Sequence, residues 1–401
     1  MKKTIKLALA AAMAMSSTAA FATNGDILIG IGAKARGMGG VGIGVTHGAE
    51  STLENPAMIT SVKGTEIAFG GTIFMPDVET DLGAGYSESD ADMNVIPSIS
   101  IATELGNGFY TGVGMWGTAG MGVDHRGNDA AMNMVTMLQL MQFGVPLAYK
   151  TEGFSVAVTP LLQYGALDID YDATSAFGPT AFSGAGTAQD LVFGYNFGIA
   201  YDFSQLGVDG LTLGAVYKSA IEMDYKDVLP SAGAPFIPFG VSPFSSELEQ
   251  PAEVGVGVSY VIGEHTVALD LREIQYEDTV GYGDFGWENQ TVIAVGYQYD
   301  TGAWAARAGY NYAENPIQEH DGSTQPGAVM NMFNLLGFPG IVESHFTLGG
   351  TYEVSKQTSF DLALGYAPEV EASYSMAGVG FGNVTTKHSQ TSVSVGLNYN
   401  F

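Results

Sequence analysis

From Thr391 to the last residue the chain alternates without a break. Thr391, Val393, Val395, Leu397, Tyr399 and Phe401 fall on one face, and Ser392, Ser394, Gly396, Asn398 and Asn400 on the other. Successive side chains of a strand point to opposite faces, so this period of two predicts a β-strand with one apolar and one small or polar face. Ala252, Val254, Val256, Val258 and Tyr260 alternate in the same way with Glu253, Gly255, Gly257 and Ser259, as do Phe360, Leu362, Leu364 and Tyr366 with Ser359, Asp361, Ala363 and Gly365. Segments of this kind centre near Phe69, Ser100, Gly112, Leu147, Val158, Gly198, Ala215, Gly257, Ala268, Ala294, Ala308, Leu348, Leu364 and Val395, fourteen in all. In a soluble sandwich the apolar faces would meet in a core, whereas in a membrane barrel they face lipid and the small polar faces line the lumen. A sandwich of 401 residues would need several domains, and no linker is visible. An even strand number suits a bacterial outer-membrane barrel. The pattern therefore predicts an all-β fold, a transmembrane antiparallel β-barrel of about 14 strands. Tyr164, Tyr171, Tyr217, Tyr225, Tyr297, Tyr299, Tyr310, Tyr312, Trp287 and Trp304 lie near strand ends and are expected to form interfacial girdles.

Three kinds of region break the alternation. Residues 23–61 are Gly-rich and irregular. The stretch from Met115 to Met141 holds six of the 17 Met, and Ala130, Met134, Met137, Leu138 and Met141 fall at helical spacing, so a helix is expected there. The third kind is apolar loop: Pro235-Phe236-Ile237-Pro238-Phe239 with Pro243-Phe244, and the run from Met330 to Pro339. Exposed loops are usually polar, and unbranched Met reshapes around varied apolar ligands. Met132, Met134, Met137, Leu138 and Met141, with Phe236, Phe239, Met332, Phe333 and Leu336, are therefore the expected extracellular capture groove for a hydrophobic ligand.

Composition narrows the class. Charged residues are 14%, against roughly 25% in a typical soluble domain, and the net charge of −28 argues against nucleic-acid binding. Lys2, Lys3 and Lys6 precede an apolar run from Leu7 to Met15 and small residues ending at Ala20-Phe21-Ala22, which reads as a signal peptide cleaved before Thr23. The apolar run is too short for a spanning helix. Export would remove three Lys and no acid, leaving 11 bases against 42 acids. With no Cys, disulfides, thiolate metal sites and cysteine nucleophiles are excluded.

Gly37-Met38-Gly39-Gly40-Val41-Gly42 satisfies G-x-G-x-x-G, but no strand precedes it and no Rossmann unit follows, so it reads as close backbone packing in a crowded lumen. The six His show no i,i+4 pair and no H-E-x-x-H, and no metal or other cofactor is expected. G-x-S-x-G is absent as well, so the chain is read as a non-enzyme, with an outer-membrane lipid-modifying enzyme as a lesser alternative.

Gly32-Ala33-Lys34-Ala35-Arg36-Gly37-Met38-Gly39-Gly40-Val41, followed by Asn55-Pro56-Ala57, resembles the FadL/TodX family of outer-membrane channels for long-chain fatty acids and other hydrophobic compounds. Leu213 to Ser219, Gln250 to Gly257, Leu269-Asp270-Leu271-Arg272, and Trp304 through Arg307 and Tyr310 to Ile317 are similar to family strand motifs in the same order. His47-Gly48-Ala49-Glu50 departs where many relatives carry an Asp. The resemblance implies a monomeric barrel over residues 62–401 in the outer membrane of a Gram-negative bacterium, after a signal peptide (1–22), with residues 23–61 folded inward as a hatch. It implies capture by apolar loops and lateral release beside a kinked strand, with Gly39, Gly40, Asn55, Pro56 and Ala57 at the hatch. The partners are then a fatty acid or similar hydrophobic molecule, outer-membrane lipid and lipopolysaccharide. A general aqueous porin is the alternative. Alternation also turns Asp270, Arg272 and Arg307 into the lumen, with Lys218 ending a similar strand. Lys218, Arg272 and Arg307 could meet a ligand carboxylate, or pair with lumen acids to hold the hatch.

Overall fold

The computed structural model describes residues 23–401; the signal peptide and its cleavage site at Thr23 lie at the edge of or outside these residues. Fourteen antiparallel strands close into a barrel. They are β1 (Thr65–Asp81), β2 (Asn94–Gly106), β3 (Phe109–Asp124), β4 in two pieces (Val135–Gly144 and Leu147–Thr151), β5 (Phe154–Asp172), β6 (Ala188–Asp202) and β7 (Leu211–Lys218). The second half comprises β8 (Glu253–Ile262), β9 (His265–Ile274), β10 (Gln290–Asp300), β11 (Trp304–Ala313), β12 (Ser344–Glu353), β13 (Thr358–Ser375) and β14 (Asn383–Asn400). Closure runs from Thr385 opposite Asp81 to Asn400 opposite Glu66, so the sheet keeps no free edge. Each of the fourteen segments expected from alternation is a strand.

Val254, Val256, Leu269, Leu271, Val395 and Leu397 are exposed on the outer wall, while Asp270, Arg272, Ser392 and Ser394 are buried inside. Turns are short at one end, as at residues 107–108 and 263–264, and long at the other, as at 219–252 and 314–343. In outer-membrane barrels the short turns face the periplasm, so the long segments are extracellular. The aromatic expectation needs correcting in part. Tyr217, Tyr297 and Trp304 are exposed on the wall, but Tyr171, Tyr225 and Trp287 are buried inside, because they belong to the strand tops and loops that fold over the lumen.

The stretch from Met115 to Met141 is not helical. It forms the β3–β4 hairpin, paired from Gly114 opposite Gly144 to Asp124 opposite Val135, with one 3-10 turn at Asp129–Ala131. Thr136, Leu138 and Leu140 also satisfy a period of two, and a neighbouring strand offers partners for every backbone group that a lone helix could not bury here.

Residues 23–62 pack against inward-facing residues around the barrel. Helix α1 (Gly32–Gly37) touches β11 to β14 and β1. Asp270 Oδ2 of β9 accepts the Gly42 and Ile43 amides at 2.7 and 2.9 Å. At Gly39, φ is +72° and a Cβ would lie 2.7 Å from the Tyr310 backbone nitrogen, while a Cβ on Gly309 would lie 2.0 Å from Gly39 N. Glycine on both sides lets backbone meet backbone, which is what the G-x-G-x-x-G stretch does here.

Candidate functional site

The extracellular loops close over the barrel as one apolar body. Met132, Met134, Leu138, Phe236, Met332, Phe333 and Leu336 are buried in it, and Phe239 packs against it half-buried. Phe333 stands edge-on to Phe236 with ring centroids 5.2 Å apart, and Phe177 does the same to Phe236 at 5.3 Å. Helix α2 (Gln325–Met332), capped by Thr324 Oγ1 on Gly327 N, presents Met330 and Met332 to this body. Met137 and Met141 alternate with these on β4, paired with Asp168 and Tyr164, and do not join it; Met137 packs half-buried against Leu28, Trp116 and their neighbours instead. Phe244 of the apolar loop does join the loop body, and so do Tyr171, Phe177 and Trp287, which loop composition did not single out.

Beneath the cap the wall weakens. Pro97 of β2, Pro146 in the break of β4 and Pro160 of β5 lack the N–H that a ladder needs. Strand β4 is interrupted at Val145-Pro146. Pairing of β2 with β3 stops at Ser98 opposite Trp116, although both strands continue. The freed edge of β3 is taken by the N-terminal segment: Ile27 pairs with Ala119, and Gly120 N donates to Asp26 O at 2.9 Å. Asp26 is held in turn by Tyr276 and Tyr282, whose hydroxyls lie 2.6 and 2.7 Å from its carboxylate oxygens. Burial pushes the Asp26 carboxyl above the usual carboxylate range, against those two hydrogen bonds.

Ile27 belongs to the loop cluster, and its neighbour Leu28 to a second cluster with Ile31, Leu53, Phe74, Ile96, Trp116 and Leu161. Trp116 is fully buried and donates Nε1–H to Ser100 Oγ at 2.8 Å. It lies behind Gly114 and Gly144, where added Cβ atoms would come within 1.7 and 3.1 Å of the indole. Outside these glycines lies a groove of about 1150 Å³, lined by Phe69, Ile73, Val95, Val113, Val145, Leu162 and Val395 among other apolar residues. An apolar succession therefore runs from the loops, through the interior, to one side of the wall.

The three predicted lumen bases face inward, each beside an acid. Lys218 Nζ lies 3.3 Å from Glu253 and 3.6 Å from Glu54; Arg272 Nη1 lies 3.6 Å from Glu253; Arg307 Nη1 lies 3.9 Å from Asp361. Glu54 also accepts the Ile31 amide at 2.9 Å, and Lys34 sits near Glu66 and Asp361. Asn55 Nδ2 donates to Ile43 O at 2.8 Å and to Ile199 O of β6 at 3.2 Å, while its Oδ1 accepts Ala57 N at 3.0 Å. Pro56 and Gly198 meet directly below it. Glu50 is buried against Gly32 and accepts Lys34 N; burial pushes its carboxyl up to about 7, with Lys34 opposing.

The sequence matches the profile of the outer membrane protein transport protein family (OMPP1/FadL/TodX) over residues 8–262. The chain belongs to the OMPP1/FadL/TodX family. No curated protein sequence matches. Among solved structures, a FadL homologue from Pseudomonas aeruginosa superposes with a TM-score of 0.70 at 14% identity, over 94% of this chain and 100% of that one. The toluene transporter TodX of P. putida gives 0.67 at 17% identity, covering 93% and 99%. The toluene transporter TbuX of Ralstonia pickettii gives 0.67 at 16%, covering 93% and 98%. At these identities the likeness establishes a shared fold, the closed fourteen-stranded barrel. The family is one of outer-membrane channels for hydrophobic compounds, not of enzymes.

Sequence reading did not single out Trp116, because it sits in a Gly-rich run whose alternation is broken by a bulge between Gly117 and Ala119. A large aromatic amid Gly112, Gly114, Gly117, Gly120 and Gly122 was the available signal.

Proposed function

We propose that this protein carries long-chain fatty acids or similar hydrophobic small molecules passively across the outer membrane, taking them in at the apolar loops and releasing them sideways through the wall. The observation that carries the reading is the apolar succession from Met134, Phe236 and Met332, past Ile27 and Leu28, to Trp116 and the outer groove behind Gly114 and Gly144. Such a route spares an apolar molecule the polar lipopolysaccharide layer and never asks it to enter water. Residues 23–62 serve as the plug, pinned by Asp270, Asn55 and the ion pairs of Lys218, Arg272 and Arg307. Aromatic hydrocarbons, the cargo named for TodX and TbuX, would suit the same path. A general porin needs a water-filled lumen and has little use for a Met- and Phe-rich cap.

The test is twofold. Native mass spectrometry of gently purified protein is expected to find a co-purifying lipid-like molecule, and planar bilayers are expected to stay nearly silent. A large steady ion conductance would refute the reading in favour of an aqueous pore.

A further inference from the structure

Three bases are buried among the described residues, and their surroundings differ. Arg272 and Arg307 each have a carboxylate within 4.0 Å. Arg36, on α1, is 3% exposed and has none. Its Nη2 donates to Ser392 Oγ at 3.1 Å, its Nη1 makes a long contact of 3.4 Å to Gly30 O, and its Nε has no partner. An ionised guanidinium out of water and without a counter-charge is strongly disfavoured. In a chain with 42 acids and 14 bases a partner would be easy to supply, so its absence is informative.

Beside Arg36 the inner face of β14 presents His388, Gln390 and Ser392 in succession, part of a polar inward face that runs from Thr386 to Asn398. Hydrogen bonds fix the protons along it. His388 Nδ1 must donate to Pro339 O at 2.8 Å, which leaves its Nε2 to accept from Gln390 Nε2 at 3.3 Å. Gln390 Oε1 then accepts from His345 Nε2 at 3.0 Å and from Thr23 N at 3.3 Å. His345 Nδ1 is thereby left as a bare acceptor, buried and without a partner. Pro339 follows Phe338 of the loop cluster, so the strip leads from the capture end down to Arg36.

Building on the transport reading above, we propose that Arg36, Ser392 and His345 form the binding site for the acidic head group of an amphiphilic ligand, a carboxylate on an alkyl chain. A ligand that enters as the acid brings its own proton: His345 Nδ1, the bare acceptor, takes it, and the carboxylate so formed gives Arg36 the counter-charge it lacks and an acceptor for Nε. Lys218, Arg272 and Arg307, already paired, hold the plug.

The test measures binding of oleate, oleyl alcohol and toluene to the full chain purified in detergent. Wild type is expected to bind oleate more tightly than oleyl alcohol. Arg36→Gln should weaken oleate by about ten- to a hundred-fold, the loss expected for a charge-assisted hydrogen bond, and leave oleyl alcohol unchanged; Arg36→Lys should restore part of the preference. Ser392→Ala keeps the guanidinium and the barrel and should weaken oleate alone by several-fold, which covers an Arg36 variant that does not fold. Equal losses for oleate and its alcohol, or none for either, overturn the head-group site. Wild-type binding of toluene and oleyl alcohol with no preference for oleate overturns this site while the transport reading stands; binding of none of the three overturns both.

Discussion

Trp116 is the part of the proposed path that a single substitution can remove. Its indole is fully buried, lies behind Gly114 and Gly144, and holds one hydrogen bond to Ser100. Truncating a buried Trp costs about 3–5 kcal/mol. If the ring is what keeps the side exit shut, that figure is also the ceiling on the energy needed to open it. At 1.36 kcal/mol per decade the open state is then disfavoured by at most about two to four orders of magnitude, and Trp116→Ala abolishes most of that bias. Entry at the loops limits how much of this reaches the overall rate. Uptake of radiolabelled oleate by cells is expected to rise at least about three-fold in Trp116→Ala, and to stay near wild type in Trp116→Phe, which keeps a ring in the gap. Gly114→Ala should act in the same direction, since its Cβ would stand 1.7 Å from the indole where about 3.5–4 Å is ordinary contact. Heat-modifiability on gels checks that the barrel is intact, and bilayer conductance should remain low because the exit faces lipid. An intact Trp116→Ala barrel with unchanged or reduced uptake would refute the shutter.

The remaining predictions concern the cap and the plug. Replacing Met134 and Met332 by Ser, both buried in the loop cluster, should lower uptake several-fold at limiting ligand, while Met141→Ser, outside that cluster, should leave it unchanged; an equal effect at Met141 would remove the capture groove. Glu50 holds its proton to about pH 7 when folded, whereas the unfolded carboxyl loses it near 4.5. Its contribution to stability is therefore full below about pH 4.5 and is lost as pH rises to 7, by up to roughly 3 kcal/mol. Thermal unfolding should occur at a higher temperature at pH 5 than at pH 8, and Glu50→Gln should shrink that difference; an undiminished difference in the variant would assign it to other groups such as Asp26.

Strand number and strand faces are local properties, and the sequence by itself determined them. A period of two is read one segment at a time, so fourteen strands, the outward Val267 and Leu269 and the inward Asp270, Arg272 and Arg307 could all be assigned without knowing what each strand pairs with. The same local reading failed at residues 130–141, where apolar spacing fits a helix and a strand equally and only the pairing of β3 with β4 decides. What lay beyond reach depends on residues far apart in the chain. Lys218 meets Glu54, Trp287 donates to Asn334 inside the cap, and Ile27 takes the edge of β3 that β2 leaves. Whether a buried base carries a counter-ion is a fact about the whole interior, so Arg36 read as one more basic residue of a Gly-rich segment until the barrel closed around it. Alternation says which way a side chain points; only closure of the barrel decides what it meets there, because the partners come from opposite walls and from a segment hundreds of residues away.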